Sequence, residues 1–185
     1  MRARLLIGCL ALALAGCQSS NVNRDFDAGR DFAAYRSWSW QEPALQYRPD
    51  DPRIRSDLTE QRLRQAVADA LDQRGLRPAK GGAADLKVQA WLIVDNRREQ
   101  ITTSYGGPWA PGWGGPWMGP GWNETRSLDY RVATLQLDLL DGRDGKLVWR
   151  ASEERIMADQ GAAPAERAQA LRQAVYRLLE QYPPR

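Results

Sequence analysis

Hydrophobic and polar positions alternate along several stretches of this chain and follow a helical period along two others. Trp38 and Trp40 alternate with Ser37 and Ser39, and Phe32 shares their parity, which predicts a first strand with an aromatic face. Residues 42–53 are rich in proline and polar side chains and are expected to form a loop. Asp57 and Glu60 then stand at the spacing of a capping box, and Leu63, Val67, Ala70 and Leu71 recur at helical intervals. Gly75 supplies a left-handed stop, and Pro78 prevents resumption. Over residues 85–94, Leu86, Val88, Ala90, Leu92 and Val94 share one parity, which predicts a second strand. A third covers residues 128–140, with Ala133, Leu135, Leu137 and Leu139 facing inward. The run Asp141, Gly142, Arg143, Asp144, Gly145 has turn chemistry, so residues 146–156, carrying Leu147, Val148 and Trp149, should return as the hairpin partner. Pro164 suits the first turn of a last helix, whose stripe is Leu171, Ala174, Val175, Leu178, Leu179 and Tyr182.

The resulting order is β-α-β-β-β-α. Two amphipathic helices have one sensible burial partner, the apolar face of a sheet. The expected fold is therefore an α+β two-layer sandwich: a four-stranded, mixed, mostly antiparallel sheet with both helices on one face. A right-handed crossover through the first helix makes the first two strands parallel.

The amino end has its own pattern. Arg2 and Arg4 precede a short apolar run, and the run ends in Leu14, Ala15, Gly16 and Cys17. This is a secretory signal whose cleavage site resembles the bacterial lipobox, in which the cysteine thiol takes a diacylglycerol and becomes the new first residue. The apolar run is shorter than the roughly 20 residues of a spanning helix. Residues 1–16 are thus read as signal peptide, 17–24 as a lipidated polar tether and 25–185 as one domain. Gln18 stands where aspartate would retain an enteric lipoprotein in the inner membrane, which points to the outer membrane, periplasmic side.

Composition narrows the chemistry. The chain has 26 Lys+Arg against 23 Asp+Glu, and loss of Arg2 and Arg4 with the signal leaves an almost neutral domain with no basic block. That gives no electrostatic case for nucleic acid. There is no histidine, and of the two cysteines Cys9 leaves with the signal while Cys17 is the lipid acceptor. Triads, Cys–His pairs and imidazole metal sites are excluded, and no cofactor or metal is expected. The carboxylates left to consider are Asp25, Asp27 and Asp31, Asp50 and Asp51, Asp141 and Asp144, and Glu153 and Glu154. They fall on turns, caps and strand ends, where such groups are structural or solvated, so no catalytic residue is assigned.

Residues 104–123 interrupt the second and third strands with a Gly/Pro-rich run carrying Trp109, Trp113, Trp117 and Trp122. Proline and glycine exclude both helix and strand within the run, and long insertions of this kind are functional or disordered. The indoles could cover the sheet, sit at a bilayer interface, dock a partner protein or stack on cell-wall sugars. They are the candidate binding residues.

Asp31-Phe32-Ala33-Ala34-Tyr35-Arg36-Ser37-Trp38-Ser39-Trp40, Ala84-Asp85-Leu86-Lys87-Val88, the hairpin from Thr134-Leu135 to Leu147-Val148-Trp149-Arg150 and the end Tyr182-Pro183-Pro184 together resemble a family of bacterial envelope lipoproteins, domain of unknown function 4136. Ala133 and Ala151 stand where that family usually has glycine. The resemblance spans most of the mature chain and implies its fold and an envelope location. It implies no activity. The expectation is a non-enzymatic, lipid-anchored envelope lipoprotein, an interaction or accessory module with an envelope protein or peptidoglycan as partner. A glycan- or lipid-binding module using the tryptophan loop is the alternative.

Overall fold

The computed structural model describes residues 22–105, 122–157 and 163–184. The chain is α+β, with one six-stranded sheet in the order β1-β6-β5-β4-β2-β3. Its strands are β1 (Val22–Phe26), β2 (Ser37–Arg48), β3 (Arg77–Pro78), β4 (Leu86–Tyr105), β5 (Trp122–Asp141) and β6 (Leu147–Ile156). Helix α1 (Asp57–Asp72) follows β2, and α2 (Pro164–Leu179) ends the fold.

The expected four-stranded sheet is corrected to six by two additions at its edges. Residues 22–24, assigned from the sequence to the tether, form part of β1, which pairs antiparallel with β6 from Val22↔Glu153 to Phe26↔Trp149. The two-residue β3 runs parallel to β2. As expected from a right-handed crossover, β2 and β4 are parallel, while β4–β5 and β5–β6 are antiparallel. Phe32 does not extend the first strand: Phe32–Ala34 is a 3-10 turn capped by the Asp31 side chain. Part of the expected 42–53 loop is strand instead. β2 continues to Arg48 through an irregularity between Trp40 and Leu45, and Pro43 lies within it, where no ladder N–H is required.

Register puts the core on one face. Trp40, Val88, Leu139, Trp149 and Phe26 form a row across five strands, and Leu45, Ala90, Leu137 and Ala151 form the next. Leu63, Val67 and Leu71 of α1 and Val175, Leu178 and Leu179 of α2 are buried in the same cluster, so both helices cover this face. Edge-to-face contacts tie Trp149 to Tyr182 (5.7 Å) and Trp38 to Trp40 (5.5 Å) between ring centroids.

Helix α1 is capped one residue before Asp57, the cap expected from the sequence. Ser56 accepts from the Thr59 N–H, and Asp57 is the first helical residue, near the positive end of the helix dipole. Gly75 takes the left-handed conformation predicted for it (φ 82°). Pro164 occupies the first turn of α2, and Glu166 reaches back to the Ala163 N–H.

Candidate functional site

β4 and β5 are each 20 residues long and pair without a break from Leu86↔Asp141 to Tyr105↔Trp122. Their flanking strands stop early. β2 accompanies β4 only to Ile93, and β6 accompanies β5 only to Val132. From Asn96↔Arg131 outward the pair is a two-stranded arm, about 30 Å long at roughly 3.3 Å per residue. At the ends of the predicted loop 104–123, Ser104, Tyr105, Trp122 and Asn123 belong to strands instead; residues 106–121 lie outside the described residues.

No core holds the arm. Every residue from Asp95 to Tyr105 is exposed. The ladder and its side chains hold it instead, with Arg98 bonded to Asp129 across the strands (2.7 Å) and Thr102 to Thr125 (3.2 Å). Arg97 ties its base to Glu154 of β6 (2.8 Å). One face carries Arg98, Gln100, Thr102, Thr125 and Ser127, all polar. The other is mixed: Ile101, Leu128 and Tyr130 stand among Arg97, Glu99, Glu124 and Arg126, with Ile156 of β6 beside its base; Ile101, Leu128 and Ile156 are 49%, 52% and 68% exposed. A cleft of about 540 Å³ opens where the arm leaves the sheet, lined by Arg97, Arg98, Arg131, Asp129 and Tyr130.

Of the residues singled out in the sequence, Cys17, Trp109, Trp113 and Trp117 lie outside the described residues. Trp122 opens β5 opposite Tyr105 at the far end of the arm. The arm thus joins the domain to the tryptophan-bearing segment 106–121.

The carboxylates go elsewhere, and most meet arginine. Arg30, which nothing in its sequence context marked, reaches Asp27 (3.2 Å), Asp141 (3.0 Å) and Asp144 (2.7 Å). Buried Asp141 also accepts from the Arg143 N–H (2.8 Å) and the Tyr35 hydroxyl (2.9 Å). Asp50 pairs with Arg55, Asp51 with Arg53 and Glu153 with Arg177 of α2. Asp31 caps the 3-10 turn, and Asp25 lies on β1 opposite Arg150. Asp138, buried on the sheet face away from the helices, takes both Arg150 Nε and Nη2 (2.6 and 2.7 Å). Among the described residues no group of three or more potential ligands is placed to hold a metal ion.

These bonds set the charge states. The Gly29 N–H and then Arg30 hold Asp27 below the usual carboxylate range. The Arg143 N–H and the Tyr35 hydroxyl do so for Asp141, and Arg30 and the Lys146 N–H for Asp144. Asp51 is brought down to about 2 by Arg53. Burial and the bond to Asp141 raise Tyr35 to about 12. A general acid needs the reverse shift, so at neutral pH these carboxylates act as ionised acceptors and not as proton donors.

Asp85 shows the structural use of such a group. It accepts from the Arg36 N–H (3.0 Å), the Ser37 hydroxyl (2.8 Å) and the Ser37 N–H (2.9 Å), and these bonds lower its pKa. With folded values below the unfolded ones, the unfolded chain takes up protons first. The stabilisation is complete above about pH 5 and is lost as pH falls below about 4. The melting temperature should follow that course. Asp85→Asn should melt lower at pH 7 and lose less on acidification to pH 3. An equal acid loss in the variant and the parent would remove Asp85 from the explanation.

A family profile described as Domain of unknown function (DUF4136) matches residues 22–184. No curated protein matches the chain. Among solved structures it is similar to a PDZ domain protein from Parabacteroides distasonis (14% identity, TM-score 0.56), covering 90% of this chain and 36% of that one. The chain thus spans about a third of that protein's length. Weaker likenesses are the PelC dodecamer from Paraburkholderia phytofirmans (12% identity, TM-score 0.43, covering 86% and 94%) and a minor lipoprotein from Acinetobacter baumannii (14%, 0.31, covering 80% and 88%). At these identities the first likeness bears on the fold alone.

Proposed function

The chain belongs to the DUF4136 family, domains of unknown function, and from that premise we propose that it is a non-enzymatic, lipid-anchored envelope lipoprotein, an accessory module whose contact element is the β4–β5 arm. The arm carries this reading. It contributes nothing to the core and exposes its side chains, and beyond Ile93 and Val132 both its outer edges lack a neighbouring strand among the described residues. Open edges and exposed apolar side chains are what an interaction surface offers. The ionised, arginine-paired carboxylates and the absence of histidine favour a binding role over hydrolysis.

Anchoring rests on Cys17 at the lipobox, with diacylglycerol on the thiol and palmitate on the new amino end. Among the described residues no helix is long and apolar enough to cross a membrane. Gln18 supports an outer-membrane address facing the periplasm. Cys17→Ser should move the protein from the membrane pellet to the soluble fraction and abolish metabolic labelling by palmitate. Unchanged sedimentation of the variant would contradict anchoring through this residue.

A second reading is favoured by the tryptophans of 104–123: a module that binds glycan or lipid through Trp109, Trp113, Trp117 and Trp122. Retention on purified peptidoglycan that disappears when all four are replaced would support its glycan form.

A further inference from the structure

Register places the start of β1 and the arm at the same end of the sheet. Val22, Glu153, Leu135 and Leu92 form one row across β1, β6, β5 and β4. Moving past that row, β1 runs back toward Cys17 while β4 runs on toward Tyr105. Cys17 lies five residue steps before Val22, a reach of at most about 18 Å even fully extended. Thirteen separate Leu92 from Tyr105, about 40 Å of strand. Strand-to-strand twist of about 20–25° inclines the arm to β1, which lies beyond β5 and β6 in the sheet. A lipidated Cys17 therefore brings the bilayer closer to Val22 than the arm is long.

The arm's two faces differ: its large apolar side chains stand on one of them. The face bearing Ile101, Leu128 and Tyr130, continued by Ile156, presents these side chains among charges: Arg126 pairs with Glu124 (2.6 Å), Arg97 with Glu154 (2.8 Å), and Glu99 stands exposed opposite Leu128. Pairing lowers the cost of bringing the paired groups to a lipid surface. The opposite face offers only hydroxyls, amides and charges.

We propose that the arm lies on the bilayer that holds the anchor, with the Ile101–Leu128 face on the lipid and the polar face turned to the periplasm. This deepens the contact role given to the arm and rests on lipidation at Cys17. It leaves the polar face for a protein or glycan.

The test uses the full lipidated chain in phosphatidylethanolamine–phosphatidylglycerol vesicles containing nitroxide-labelled lipid. Once Cys9 is removed and Cys17 is blocked, an added cysteine is the sole thiol. An environment-sensitive fluorophore is placed by Leu128→Cys or Ile101→Cys on one face, and by Thr125→Cys or Thr102→Cys on the other. All four positions are exposed and outside the core, so the melting temperature should stay within a few degrees, with the loss of the Thr102–Thr125 bond confined to the arm. Quenching at positions 128 and 101 should exceed that at 125 and 102 by about threefold or more. Equal quenching on both faces, or none on either, overturns the proposal. The mass of the purified chain is measured first. A mass without lipid defeats the anchoring reading and this inference with it, whereas lipidated protein without face-selective quenching defeats this inference alone.

Discussion

Trp149→Ala should lower the unfolding free energy by about 4 kcal/mol, within the range for emptying a buried aromatic site. Trp149 is fully buried between Leu139 and Phe26 in the row that also joins Trp40 and Val88. Its ring meets Tyr182 edge-on, so the cavity would open between the sheet and the chain end that follows α2. Its indole N–H has no hydrogen-bond partner in the structure, which offsets part of its burial by about 1 kcal/mol and keeps the expected loss below the top of the range. Domains of this size are stable by roughly 5–15 kcal/mol, so the variant should be marginal in urea at 25 °C and accumulate poorly. Trp149→Phe keeps an aromatic contact and should cost clearly less. Equal losses for the two variants would mean that the site does not depend on packing in this way.

Gly142→Ala should cost about 3 kcal/mol, for a steric reason. A Cβ at position 142 would lie well inside van der Waals contact with the Ala84 carbonyl oxygen and 3.0 Å from its carbon. Both neighbours are backbone at the entry to β4, and Gly142 itself donates to Asp85 O at 2.7 Å. The clash can be relieved only by moving the turn away from β4, which strains the first rung, Leu86↔Asp141. Gly145 in the same turn has positive φ (71°) and open space around it, so alanine there meets conformational strain without a clash. Urea denaturation of the two variants separates the mechanisms. A Gly142→Ala loss no larger than that of Gly145→Ala would show that close approach to Ala84 is not what requires glycine.

Elements that bury one face were legible in the sequence. Leu86, Val88 and Ala90 face Leu139 and Leu137 as their alternation requires, and the stripes containing Val67 and Val175 face the core. Gly75, Pro164 and the Asp141–Gly145 turn act locally and could be read locally. The arm could not be, because strand recognition rests on alternating burial and the arm is exposed on both faces. The β-branched Ile101, Thr102, Thr103 and Thr125 were its only sequence signal, and the neighbouring glycines and prolines drew attention instead. β1 was hidden for a related reason. Val-Asn-Arg-Asp-Phe is a weak strand alone and gains its partners only from β6. Arg30 was missed because its three carboxylates lie up to 114 residues away in sequence.

The central claim is that the arm is the contact element of an otherwise closed domain. The direct measurement compares, by in-cell crosslinking and co-purification, the full chain with one in which residues 97–130 are replaced by an Asn-Gly turn. No described residue of that segment is in the core, so the shortened chain should stay anchored and keep its melting temperature within a few degrees. Crosslinked species formed by the full chain should be absent from it. The same species recovered from both chains would contradict the claim and place the interface on the compact domain.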